Sequence, residues 1–178
     1  MFAAGAIGRR GAKDQVMSMF EREDYAWRET YFVLFDRAKR PTMNAVEKVL
    51  RHLPGRFELS HQTSDSDGLF EAATLISPSD YAALEIAFVE GEEVTEHAAG
   101  LIEEMKATAA DAAERKKLAQ LAHADARLDV MHFQNVDNDE SDEDEDEMFD
   151  PAALLVVLEA LAKLTGGVGI DPQSGCLM

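Results

Sequence analysis

Hydrophobic positions along this chain follow three patterns. The first is continuous: Tyr31, Phe32, Val33, Leu34 and Phe35 stand in succession, which suits a central strand covered on both faces. The second alternates. Between Ala83 and Val89, Leu84, Ile86 and Phe88 fall on one side and Glu85 and Ala87 on the other, the period of a strand. Phe57 to His61 and Leu69 to Ile76 read as two more strands, joined by the turn formers Thr63, Ser64, Asp65, Ser66, Asp67 and Gly68. Arg127 to Val136 is a further strand candidate.

The third pattern recurs at helical spacing. Thr42, after Pro41, is placed to cap a helix carrying Val46, Val49, Leu50 and Leu53, with Pro54 and Gly55 as the stop. Past Gly91, the residues Val94, Ala98, Leu101, Ile102 and Met105 form one apolar stripe. Ala109 to Ala122 reads as another helix, with Leu118, Leu121 and Ala122 on one side. Asp150 and Pro151 open the last helix, as cap and first helical residue. Its apolar residues (Leu154, Leu155, Val156, Val157, Leu158, Leu161, Leu164) run nearly all round, so deep packing is expected until Gly166 and Gly167 end it. Val168 to Met178 reads as a small hairpin turning at Asp171 to Gly175.

The resulting order is β-α-β-β-β-α-α-β-α-β, without a repeat of fixed period. It predicts a single-domain α+β sheet with helices packed on it, in a ferredoxin-like-related arrangement with extra strands. Residues 1–18 hold Gly5, Gly8, Arg9, Arg10 and Gly11 but no apolar stripe, and are expected to be a flexible tail. The domain then spans 19–178, interrupted by a disordered acidic loop at about 137–149. Met1, Met17 and Met19 all fit as the translation start.

Composition sharpens this picture. A chain of 178 residues is the size of one domain and buries roughly 70% of its unfolded surface. Cys176 is the only cysteine, which excludes an intramolecular disulfide framework and a Cys-based zinc site. Its apolar setting beside Leu177 and Met178 suggests packing. The run from Pro151 to Leu161 is shorter than the ~20 residues of a membrane span and contains Glu159. Arg9 and Arg10 follow the short apolar stretch Met1 to Ile7 and no long apolar region comes after them, so no export signal is expected. A cytoplasmic, bacterial-type protein is expected.

Charge changes the picture most. The net charge is −18, and ten carboxylates lie between Asp137 and Asp150 with no Lys or Arg among them. Removing those ten leaves −8 for the rest. Nucleic acid and anionic membranes are disfavoured as partners, since both need Lys and Arg. A basic protein partner is favoured instead. The candidate contact residues are Asp139, Glu140, Asp142, Glu143, Asp144, Glu145, Asp146 and Glu147. An EF-hand calcium loop needs Gly sixth and Glu twelfth. From Asp137 these are Asp142 and Met148, and from Asp139 they are Asp144 and Asp150, so neither register fits.

Other chemistry is sparse. Ser174 lacks the flanking glycine of a nucleophile elbow, and the glycines near the N-terminus follow no strand that would make a phosphate loop. Glu93 and His97 share a helix face four residues apart. His61, Asp65 and Asp67 share the hairpin loop. These five would be the first suspects if the chain were an enzyme or a metal-binding protein whose site converges only in the fold. With no catalytic constellation in the sequence and no cofactor motif, the reading is a non-enzymatic adaptor, inhibitor or immunity-like protein.

Overall fold

The computed structural model describes residues 18–80, 82–107, 109, 111–136 and 152–178. Seven strands form one sheet: β1 (Tyr25–Phe35), β2 (Glu58–Ser64), β3 (Phe70–Ser77), β4 (Ala82–Glu90), β5 (Ala126–Asn135), β6 (Val168–Asp171) and β7 (Cys176–Leu177). Four helices accompany them: α1 (Met43–Arg51), α2 (Glu92–Met105), α3 (Ala112–Leu121) and α4 (Ala152–Thr165). The sheet order is β2-β3-β4-β5-β1-β6-β7, antiparallel at every pairing. This is the mixed α+β architecture the pattern predicts. Because β5 and β6 each run antiparallel to β1, they are parallel to one another. Helix α4 is thus the crossover of a split β-α-β unit with β1 inserted in its middle.

Strand β1 is central, as its apolar run demands, but begins six residues earlier than that run. A bulge between Trp27 and Glu29 explains how the polar start is accommodated. The extra residue reverses which face each side chain takes. Tyr25 and Trp27 therefore share a face with Thr30, Phe32 and Leu34, while Glu29, Tyr31, Val33 and Phe35 occupy the other.

Two cores follow from this alternation. On one face, Tyr31, Val33 and Phe35 pack with Leu84 and Ile86 of β4, Leu128 and Val130 of β5, Val46 and Leu50 of α1, and Leu154, Val157, Leu158 and Leu161 of α4. On the other, Leu34, Val168 and Ile170 lie under Val94 and Ala98 of α2 and Leu118 and Leu121 of α3. A satellite cluster of Met19, Ala83 and Phe133 continues this second face toward the start of β1. Met19 belongs to a short 3-10 turn held over β4: its N–H, at 2.9 Å, and the Ser18 hydroxyl, at 3.1 Å, both donate to Glu85.

Local signals place the helices. Thr42 caps α1, its Oγ1 accepting from the Ala45 N–H at 3.2 Å, and Asp111 caps α3. Helix α1 stops at Arg51, ahead of Pro54 and Gly55. Helix α4 is less deeply packed than its composition suggests: Leu155 is 41% exposed, because one helix can turn only one stripe toward one sheet. The exposure of Cys176 likewise corrects the packed setting expected for it. Among the described residues, no helix is long and apolar enough to cross a membrane.

Candidate functional site

The eight carboxylates singled out as a partner contact (Asp139, Glu140, Asp142, Glu143, Asp144, Glu145, Asp146 and Glu147) lie outside the described residues. What is described is their point of departure. Strand β5 ends at Asn135, and the next N–H, of Val136, donates to the Asp24 carbonyl at 2.9 Å. The chain thus enters its acidic stretch beside the start of β1.

The five residues suspected of converging belong to two separate places. His61, Asp65 and Asp67 are on the β2–β3 hairpin at one edge of the sheet. His61 is exposed, with φ of 48°, inside the irregular stretch between Ser60 and Thr63. Such bulged, polar geometry is typical of a protected sheet edge. Asp65 organises the loop. Its Oδ1 accepts from the N–H groups of Asp67 at 3.0 Å and Leu69 at 2.9 Å. Its Oδ2 pairs with Arg40 at 3.2 Å, and Arg40 also donates to the Phe70 carbonyl and lies over the Phe88 ring. The Asp65 carboxylate is spent on folding.

Glu93 and His97 do share a face of α2, and that face meets Arg127 and Asp129 of β5. The Arg127 guanidinium donates from Nε to Asp129 at 2.6 Å and from Nη2 to Glu93 at 3.3 Å. Its Nη1 is 3.5 Å from His97 Nδ1, and the Phe32 ring packs against both groups. Burial, reinforced by the Arg127 charge, holds the His97 pKa below its ordinary value. A guanidinium can only donate, so this contact favours the neutral ring with Nδ1 as acceptor. One cation between two carboxylates makes an ionic cluster with one net negative charge. It presents no activated nucleophile, and the positive charge of Arg127 opposes a bound metal.

A second polar group, centred on the half-buried Glu29, escapes sequence reasoning. Glu29, just past the bulge, accepts from the Tyr31 hydroxyl at 3.0 Å and from His132 Nδ1–H at 3.3 Å. It also accepts from Gln173 Nε2 at 2.8 Å. It thereby ties β1, β5 and the β6–β7 turn together. Burial lowers the His132 pKa against the opposing pull of Glu29, and burial beside that carboxylate raises the Tyr31 phenol. Arg127 and Asp129 were detectable as an i, i+2 pair on one strand face. The Glu29–His132 contact was not, because it depends on register across a bulge.

Among the described residues, no group of three or more His, Cys, Asp or Glu side chains is arranged to hold a metal ion. What the surface does offer is aromatic: Phe20 is 61% and Trp27 50% exposed. No protein-family model, curated protein or solved structure matches this chain.

Proposed function

We propose that this chain is a non-enzymatic protein-binding or regulatory protein, of the adaptor, inhibitor or immunity-like kind, whose acidic segment engages a basic partner. One observation carries the reading: ten carboxylates from Asp137 to Asp150 are uninterrupted by Lys or Arg. Like charges at that density favour solvation over packing and steer an oppositely charged partner toward the surface. The placement of the other candidates agrees with it. His61, Asp65 and Asp67 serve a hairpin, and Glu93 and His97 join a partly exposed ionic cluster around Arg127. A cytoplasmic setting goes with the proposal, as does a ferredoxin-like relation of the fold, supported by the split β5-α4-β6 unit.

The test compares the intact chain with one lacking Asp139 to Glu147, both immobilised, against a purified basic protein. The intact chain should associate faster, and its advantage should shrink as salt rises past ~0.15 M, where the Debye length is about 8 Å. Equal rates for both chains at low salt would refute an acidic contact.

A further inference from the structure

We infer that Phe20 and Trp27 form the apolar anchor of a docking surface for a basic, aliphatic-containing segment of a partner protein. This rests on the reading above and adds to it a place on the folded domain. The two side chains flank one buried ring. Phe20 meets Phe133 edge-on, with centroids 4.9 Å apart. Trp27 stands directly opposite Phe133 in the β1–β5 register, hence on the same face. Phe133 is fully buried, while its two neighbours stand 61% and 50% exposed. Exposed aromatics grouped on a rigid support are what a partner site presents.

The support is already organised. The indole N–H donates to Thr30 Oγ1 at 3.2 Å, which sets the ring orientation and satisfies its one polar atom. Met19, beneath Phe20, is buried and its backbone is tied to Glu85. Little ordering entropy remains to be lost when a ligand arrives.

Charge selects the occupant. From Ser18 to Arg28 there are three carboxylates (Glu21, Glu23, Asp24) against two guanidiniums, Arg22 and Arg28, with Glu29 on the opposite face. Arg22 is already neutralised by Asp24 and stacked on Tyr25, and Glu21 and Glu23 are exposed. The Val136 N–H is bonded to Asp24, three residues before Trp27. A Lys or Arg on the partner gains both this negative fringe and the indole face, and aliphatic side chains gain the aromatic area.

Trp27 is the only tryptophan in the chain, so its emission reports directly on the site. The experiment titrates the full chain with a synthetic peptide of alternating Lys and Leu, and with oligolysine of equal charge. The Lys/Leu peptide should shift the emission to the blue, protect it from acrylamide, and bind about tenfold more tightly than oligolysine. Phe20→Ser should weaken the Lys/Leu peptide about tenfold. Trp27→Thr should do the same by anisotropy of the labelled peptide, and Trp27→Phe should restore most of the loss. Thermal melts of each variant separate lost binding from lost folding, and Phe20→Ser keeps the test decisive if Trp27→Thr unfolds. Deleting Asp139 to Glu147 distinguishes the two readings. If only the deletion weakens binding and the aromatic variants do not, the acidic contact stands and the anchor falls. If only the aromatic variants weaken it, the anchor stands alone. No emission shift with either peptide overturns the anchor. So does a blue shift that grows with protein concentration alone, which would make the patch a contact between two copies.

Discussion

Gly167 has no room for a side chain. A β-carbon there would lie 2.5 Å from the Leu34 carbonyl oxygen and 2.8 Å from the Phe35 β-carbon. The residue completes the end of α4: Gly166 takes φ of 62°, its N–H reaches the Lys163 carbonyl, and the Gly167 N–H donates to Ala162 at 2.9 Å. This paired closure lets the chain turn at once into β6 beside β1. Gly167→Ala should therefore cost about 1–3 kcal/mol or more through overpacking, measured by urea denaturation. A loss under ~0.5 kcal/mol would mean that the turn relaxes freely. Protonation acts at the same scale. His132 and His97 both sit below the ordinary 6.5 in the folded chain, chiefly because burial disfavours the imidazolium. The unfolded chain then binds more protons below that value, so the stability present above pH 6.5 is lost as pH falls through the lowered folded values. The double variant His97→Gln, His132→Gln should lose less stability than the parent between about pH 7.5 and 5.5. Parallel curves for the two proteins would refute this, and the comparison cancels the carboxylate repulsion they share.

Elements differ in how much of their composition they put to use. Helix α4 carries apolar residues almost all round, yet the first core takes only Leu154, Val157, Leu158 and Leu161 from it. Leu158 is 1% exposed and central, and Leu155 is 41% exposed at the margin of the buried stripe. Leu158→Ala should cost ~2–5 kcal/mol by lost burial and a residual cavity. Leu155→Ala should stay within ~0.5 kcal/mol. Equal losses at the two positions would show that something covers the outer face. Strand β1 shows the converse. Its polar start, from Tyr25 to Thr30, has no simple alternation because the bulge after Trp27 exchanges the faces. With the bulge included, the pattern becomes regular on both sides.

For the molecule as a whole, the charge run and the fold are expected to be separable. Ten like charges within fourteen residues gain little from packing against one another. Deleting Asp139 to Asp144 should leave the denaturation midpoint unchanged, or raise it slightly by relieving repulsion at low salt. A clear fall, unaffected by salt, would show that the segment packs. The element order was legible from one sequence, since the strands and helices carry their own periods and local caps or stops, such as Thr42 and Gly166. Those signals are local. The concentration of negative charge was equally legible, because charge is additive along a chain. Strand order was not, nor were the union of Glu29 with His132 and Gln173, the capture of Arg127 by Glu93, and the flanking of Phe133 by Phe20 and Trp27. Each joins residues far apart in sequence, through a register or a bulge whose energy exists only once the sheet has formed. Periodicity determined which faces are apolar. Tertiary structure alone decided which faces meet, which carboxylates are spent on folding, and which aromatic rings stay exposed.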